Sequence, residues 1–293
     1  MLEFHPVELK HKELLTPYLK KNPYHICDYS FANLYMWRLT LQSKFALFRD
    51  YCILSIFDNT FMMPVGEGEL RPVLEEMISY ARAKGIPFRM AAVTPLMRRQ
   101  MEEAMPGRFS FQPDRDHSDY LYLSKSLISL EGKKLHNKRN HIHKFHSMYQ
   151  ASYEDMTESN IPEVVDMHRL WCEENDYVND PQLLEESGNI RDVLLNYTQL
   201  DLKGGLLRVD GRVAAFSFGQ AVNETTFDVM VEKAFYDIEG AYTVINQMFA
   251  ERNCGEYLYI NREDDMGLEG LRKAKLSYHP AFLLEKYTAS LKV

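Results

Sequence analysis

The sequence predicts an α/β chain in which a mixed sheet is flanked by helices and laid out as two tandem units. Three observations predict it. Apolar residues recur with period two in short runs and with helical spacing in longer ones, and the two patterns alternate along the chain. The same order of elements comes twice, on either side of a stretch rich in Lys and His at residues 126–150. The last quarter holds one clear strand–loop–helix unit at residues 227–249. Phe227, Val229 and Val231 point one way, and Asp228, Met230 and Glu232 the other, so one strand face is apolar and the other carries two carboxylates. After Gly240, residues Ala241, Val244, Ile245, Met248 and Phe249 form one helical face. A strand that enters a glycine and a helix N-terminus gathers free N–H groups and a positive dipole end, which suits an anion.

The elements follow in order. Residues 7–19 have helical spacing, and Pro23 precedes a second helix with Ile26, Tyr29, Asn33, Leu34 and Trp37 at helical intervals. Three β-rich runs come next, at 45–48, 52–57 and 61–65, with Asp58-Asn59 marking a turn. Residues 70–83 form a helix closed by Lys84-Gly85, because glycine takes the left-handed C-terminal conformation freely. A strand at 88–93, a helix at 95–105 and strands at 109–111 and 120–123 complete the first unit, residues 1–125. The second unit, 126–293, opens on a connector helix at 133–149. Then come a strand at 151–153, helices at 161–175 and 183–200, and a hairpin, 205–209 with 212–220, turned by Asp210-Gly211. The 227–249 unit is followed by a strand at 257–260, a short helix at 267–275 and a strand at 281–287.

Length and composition bound what the chain can be. Its 293 residues suffice for two domains, and 45% apolar with 26% charged residues is a globular profile. No apolar run approaches the length of a bilayer span, and the N-terminus has no signal-peptide pattern. Cys27, Cys52, Cys172 and Cys254 make no CxxC pair, so neither a zinc ribbon nor a redox motif is expected, and free thiols point to the cytoplasm. A net charge of −8 argues against broad coating of nucleic acid. The charge is uneven, however. Residues 133–146 hold five Lys/Arg, four His and no acid, while 173–192 hold seven acids and one Arg. A local anion site inside an acidic protein is compatible with that pattern. His136, His141, His143 and His146 match no metal-ligand spacing, so no metal is expected.

Helix, helix, antiparallel strands, helix, strand, helix, strand is the element order of the GNAT acyltransferase fold, and the chain resembles two tandem GNAT-like domains. Three segments carry a more specific resemblance: EGKKLHNKRNHIHK at 131–144, the strand–loop–helix at 227–249, and GLRKAKLSYHP at 270–280. They resemble the C-terminal catalytic domain of phosphatidylglycerol lysyltransferases, which share their fold with Fem-type peptidyltransferases of cell-wall synthesis. In the last segment Lys275 falls on the first Lys of the family's G-L-x-x-F-K-x-K-F-x-P element, Tyr278 on its second aromatic and Pro280 on its proline, while Ala274 and Ser277 replace Phe and Lys. The resemblance covers roughly residues 20–290 in element order and looks closest to soluble members that lack a membrane-embedded flippase half. It implies transfer of an aminoacyl group from aminoacyl-tRNA to a lipid or small-molecule acceptor.

The resemblance implies that Lys275 stabilises negative charge in that transfer, as a cation placed where a tetrahedral oxyanion develops. A lysine near a helix C-terminus also suits the dipole. Asp228 and Glu232, on one polar strand face, can hold a donor ammonium, accept a proton, or simply face solvent. Gly240 and the first turns of its helix, with Tyr242, Thr243 and Asn246, form the expected substrate-binding end. Lys134, Lys138, Arg139 and Asn140 on the connector can take up phosphates or stand as a solvated face. Arg262 and Asp264 follow a strand end, where α/β crevices lie, and Arg272 stands in the lysine motif. Asp265 reads as a helix N-cap.

The alternative donor is coenzyme A. The loop that would hold its pyrophosphate reads DIEGA at 237–241, and two acids suit a pyrophosphate poorly. A fold that binds a ligand without turnover is the alternative outside enzymes. The expected reaction uses no covalently bound cofactor and no metal, and its expected partners are tRNA and a lipid or small-molecule acceptor.

Overall fold

A computed structural model describes residues 2–175 and 177–292. The first half supplies β1 (His5–Pro6), α1 (Lys12–Lys20), α2 (Phe31–Met36), β2 (Lys44–Phe48), β3 (Tyr51–Ile56), β4 (Thr60–Phe61), β5 (Val65–Gly66), α3 (Leu70–Lys84), β6 (Arg89–Val93), α4 (Pro95–Ala104) and β7 (Phe109–Leu123). Then come α5 (Ser124–Ser129), α6 (His136–Met148), β8 (Ala151–Asp155), α7 (Ile161–Glu174), α8 (Pro181–Leu195), β9 (Lys203–Val209), β10 (Arg212–Asn223) and β11 (Thr226–Ala234). The last elements are α9 (Ala241–Asn253), β12 (Tyr259–Asn261), α10 (Glu269–Leu276) and β13 (Phe282–Leu291).

The strands join one mixed, GNAT-like sheet in the order β1-β2-β3-β4-β6-β13-β7-β12-β11-β10-β9-β8, with β5 against β3. β13 inserts between β6 and β7, so a strand from the end of the chain completes the sheet begun by the first half. In the second half α7 and α8 cover one face of the sheet, beside α1 and α2, and α5, α6 and α9 cover the other.

Local chemistry sets several boundaries as the sequence predicts. Gly85 ends α3 with φ of 67°, and Pro95 opens α4 behind Thr94, whose hydroxyl accepts the Met97 N–H at 3.4 Å. A cap of the same kind that the sequence reading does not give is Asp180 before α8, accepting from Gln182 N–H and Leu183 N–H. Other boundaries differ. The second predicted helix breaks at Ser30, whose extended backbone caps α2 and leaves a single turn at Cys27–Tyr29 before it. The 183–200 helix starts at Pro181, ends at Leu195 and is followed by one turn at Thr198–Leu200. The 61–65 run divides between β4 and β5. The two strands expected at 109–111 and 120–123 are one strand, β7, because β13 pairs with it from Phe109 to Asp114 and again from Asp119 to Leu121, with residues 115–118 bulging out between.

Two irregularities position the site. Phe218 pairs with Val231 and Gly219 with Val229, which leaves Met230 as an extra residue, a bulge in β11. Gly219 permits the close approach, since a Cβ there would lie 1.9 Å from the Asp228 carbonyl oxygen. The second irregularity is a wedge. β11 and β12 run parallel only as far as Asp228 opposite Asn261, after which β11 continues to Ala234 and the chain leaves β12.

Candidate active site

The wedge gathers buried charge. Lys275, on α10, is buried, and its Nζ donates to the Arg262 carbonyl at 2.6 Å and to the Asp264 carbonyl. Burial lowers its pKa against the pull of Glu263. Instead of capping its own helix at the surface, Lys275 ties the loop after β12 and stands in the wedge with its third N–H uncommitted to those carbonyls.

Asp228 is fully buried, and neither carboxylate oxygen has a hydrogen-bond partner among the described residues. Burial, reinforced by Asp119 and Asp28, pushes its pKa well above the usual carboxylate range. A carboxyl in that position requires a proton or a cationic partner. Beside it is Glu263, held at a φ of 56°, a left-handed backbone that a glutamate rarely adopts. Glu263 Oε1 accepts from Asn33 Nδ2 at 2.7 Å, and its N–H donates to Asn261 Oδ1 at 2.7 Å. Burial and then Asp228 push its pKa well up as well.

A second charge cluster lies beside these acids. Lys286 Nζ lies 2.7 Å from Asp119 Oδ1 and 2.9 Å from Asp28 Oδ2. Burial opposes the Lys286 charge, but Asp119 and Asp28 hold its pKa well above the ordinary value. Asp119 Oδ2 also accepts from Asn261 Nδ2 at 2.8 Å and from Cys27 N–H at 3.2 Å. Cys27, Asp28 and Asp119 are grouped closely enough to ligate an ion, yet the Lys286 ammonium already pairs with both acids. Sequence reading misses Glu263, Asn33, Asp119, Asp28 and Lys286. The available signal is faint: Asp119 borders the apolar run Tyr-Leu-Tyr-Leu, and Lys286 follows Glu285 in the middle of β13.

Glu232 lies elsewhere, and the expected shared polar face is corrected by the bulge. Met230 turns the alternation of β11 over, so Phe227, Val229, Glu232 and Ala234 face α9, while Asp228, Val231 and Lys233 face the opposite side. Glu232 Oε1 accepts from Arg262 Nη2 at 3.0 Å, and Oε2 accepts from Asn246 Nδ2 at 2.8 Å. Arg262 and Lys138 both contact the buried Tyr278 ring, with Cζ at 4.9 Å and Nζ at 3.7 Å from its centroid. Thr243 hydrogen-bonds the same tyrosine. Burial and then Arg262 lower the Lys138 pKa to about 8.

The other expected residues are placed as follows. Arg139 donates to the Leu130 and Gly132 carbonyls and closes the turn between α5 and α6. Asn140 contacts His136 of its own helix at 3.2 Å, and Lys134 is exposed. Lys144 pairs with Glu239 at 2.6 Å. A connector track of phosphate-binding cations is therefore reduced to Lys133 and Lys134 at the surface and Lys138 in the site. Arg272 is committed to Asp265 and Asp116, with N–O distances of 2.7–2.9 Å. Asp265 is not an N-cap, because α10 begins at Glu269. It is a buried hub that also accepts from Tyr120 Oη at 2.5 Å, and Arg272 holds its carboxyl far below the usual range. Asp264 Oδ1 accepts the Met266 N–H at 3.1 Å. Tyr242 turns to Tyr236 and Trp171.

Gly240 has a φ of 89°, and a Cβ there would lie 3.0 Å from the His141 carbonyl oxygen and 3.1 Å from Phe145 Cβ. α6 thus packs on the N-terminus of α9. The site offers a group of buried, cation-seeking acids on one sheet face, a pair of cations against Tyr278 on the other, and Lys275 reaching from α10 to the loop between them.

The family model described as phosphatidylglycerol lysyltransferase, C-terminal, matches residues 21–290. A solved conserved protein of unknown function from Bacteroides thetaiotaomicron is 40% identical with a TM-score of 0.95, each chain covered over 100%. The C-terminal domain of a putative lysylphosphatidylglycerol synthetase from Agrobacterium fabrum is 15% identical with a TM-score of 0.66, covering 97% of this chain and 92% of that one. FemX is 9% identical with a TM-score of 0.61, covering 99% and 97%. An uncharacterised curated protein of Mycoplasmoides gallisepticum is 23% identical over 172 residues, and the chain spans 55% of its length. No helix among the described residues is long and apolar enough to cross a membrane.

Proposed function

The chain belongs to the phosphatidylglycerol lysyltransferase C-terminal family, and from that premise we propose that it transfers an aminoacyl group from aminoacyl-tRNA to a lipid or small-molecule acceptor. The observation that carries this reading is Asp228, a fully buried carboxyl with no hydrogen-bond partner among the described residues. An aminoacyl ester brings an α-ammonium that would satisfy it, whereas a simple acyl thioester brings none.

In this reading the catalytic half is 126–293, and the first unit contributes Asp28, Asn33 and Asp119 around the ammonium pocket. The acceptor nucleophile attacks the ester carbonyl, the ester C–O bond breaks, and the ribose oxygen leaves with a proton. Asp228, with Glu263 beside it, fixes the donor ammonium. The third N–H of Lys275 stabilises the oxyanion, an effect worth several kcal/mol, on the order of 3. The packing of α6 on Gly240, and the acids Asp237 and Glu239 in the adjoining loop, support an aminoacyl donor over coenzyme A.

The test is transfer of radiolabelled amino acid from mixed aminoacyl-tRNAs into a bacterial lipid extract or a small-molecule acceptor panel, run beside labelled acetyl-CoA. Label should move from tRNA with wild-type protein and not with Asp228→Asn. Transfer or tight binding of acetyl-CoA, with charged tRNA ignored at low salt, would sink the aminoacyl reading.

A further inference from the structure

The acidic stretch at 173–192 has no part in the site described above. Most of its described acids are committed: Glu173 pairs with Arg169, Glu186 with Lys233 and Asp192 with Arg38, while Asp180 caps α8. Glu174 instead lines a groove of about 480 Å³ between α7, the tip of the β9–β10 hairpin and the loop after β11. That size is ordinary for a small-ligand site. Asp166 from α7 and Asp237 from the loop line the same groove. None of these three acids has an ion-pair or hydrogen-bond partner among the described residues. Glu163, also on the wall, is paired with Arg208 at 2.8 Å, and Arg212 adds a cation to the rim. Met167, Leu170 and Phe235 make an apolar floor, and Leu170 is 43% exposed. The walls are fixed, because Trp171 Nε1 donates to the Ala234 carbonyl at 3.0 Å and holds α7 against the end of β11. Phe235 lies roughly 20 Å along the strand from Asp228, so the groove is separate from the candidate active site.

We propose that this groove binds a linear aliphatic polyamine. With Arg212 counted against Asp166, Glu174 and Asp237, two negative charges remain, so the fitting ligand carries at least two positive ones. Asp166 and Glu174 lie on one helical stripe with Leu170 between them. They stand roughly 12 Å apart along α7, too far to converge on one metal ion. The cation that satisfies both is therefore extended, and the floor between them asks that its middle be apolar. A polyamine meets both demands, because methylene runs space its ammonium groups. The ammoniums pair with the three acids, and the methylenes lie on Met167, Leu170 and Phe235 as a lysine stem lies on an apolar surface. Binding here is independent of the acyl-transfer reading, since it needs neither donor nor turnover.

The experiment is equilibrium dialysis of the full chain against radiolabelled spermidine at an ionic strength of about 0.15 M. Binding should saturate at one spermidine per chain. Asp166→Asn combined with Glu174→Gln should weaken it about tenfold, as the loss of two exposed ion pairs. Both positions are exposed, so the melting transition of that variant should match the wild type. Glu103→Gln combined with Glu251→Gln makes an equal change of charge away from the groove and should leave binding unaltered. Leu170→Ser should weaken binding about threefold through lost apolar contact, and equimolar magnesium should not displace the ligand. Absence of saturable binding, or full affinity in the Asp166 and Glu174 variant, overturns the site. Equal weakening in the distant pair, or displacement by equimolar magnesium, reduces the effect to bulk charge and overturns it as well. Full affinity in Leu170→Ser removes the apolar floor from the argument and with it the polyamine. A tetralysine peptide that binds more tightly than spermidine also overturns the polyamine assignment, in favour of a basic protein segment.

Discussion

Asp228 and Glu232, on one strand, point to opposite faces of the sheet. In a regular strand residues four apart share a face, and the extra residue Met230 inverts that relation. The acidic pocket and the cation pair are consequently divided by the sheet. They meet only where β11 and β12 part, at the loop that Lys275 ties down.

Asp228→Asn should stabilise the protein while abolishing donor binding. The folded pKa of Asp228 is raised by burial, so its contribution to stability is intact below the unfolded value of about 3.9 and is lost as pH rises towards the folded value. The isosteric amide removes that charge. Melting curves should therefore separate variant from wild type at pH 8, the variant melting higher, and converge below pH 4. An unstable Asn variant at pH 8 would show that the wild-type carboxylate has a partner the structure lacks.

Lys275→Met should release the loop more than it unfolds the protein. The change leaves the Arg262 and Asp264 carbonyls without their shared donor, at a cost of about 1–3 kcal/mol for each group that stays buried. Amide hydrogen exchange at residues 262–265 should speed up relative to the core strand β11. Transfer activity should fall on the order of 100-fold or more. Loss of activity without faster exchange would leave only the oxyanion role; faster exchange at full activity would leave only the tether.

Much of the fold is written in local chemistry. Asp210-Gly211 announces the β9–β10 hairpin, Gly85 ends a helix, and Pro95 begins one. The site is less legible because its parts are remote in sequence. Lys286 meets Asp28 and Asp119 only because β13 inserts beside β7, and no periodicity encodes that crossing. The Met230 bulge has a single faint trace, Gly219 on the partner strand, where a side chain would strike backbone. The lysine motif marked Lys275 as important, but its carbonyl partners lie on another segment. Arg139 and Arg272 look like free cations in sequence, yet carbonyls hold the first and Asp265 with Asp116 the second.

Arg272→Ala should behave as a stability variant. It strips the main partner from buried Asp265, and Arg115 and Tyr120 remain, so the loss should be smaller than for a fully isolated buried pair. The Asp265 pKa is depressed in the folded protein, so this contribution is present above the unfolded value and fades as pH falls through the folded one. The gap between wild-type and variant stability should thus be wide at pH 7 and narrow in strong acid. At saturating donor the variant should turn over at the wild-type rate below its melting transition. A large change in KM with unchanged stability would instead place Arg272 on the substrate.

The donor can be tested through salt. Lys133, Lys134 and Lys273 are exposed cations outside the closed site, and a tRNA that used all three would neutralise about three phosphates. Its affinity should then fall with a log–log salt slope of about −2 to −3. Lys133→Glu with Lys134→Glu should flatten that slope by about two units and weaken charged-tRNA binding, because two attractions become repulsions. The ammonium pocket lies on the other side of the wedge, so protection of Asp228 by a free amino acid ester, read by thermal shift, should be the same in the reversed variant and the wild type. An acyl-CoA donor predicts the opposite pattern. Its binding would be indifferent to Lys133 and Lys134 and would require an opening between α6 and Gly240, where the His141 carbonyl lies 3.0 Å from the Cβ position. A steep slope lost on charge reversal supports tRNA. A shallow slope that is unchanged on reversal, together with acetyl-CoA protection, rejects it.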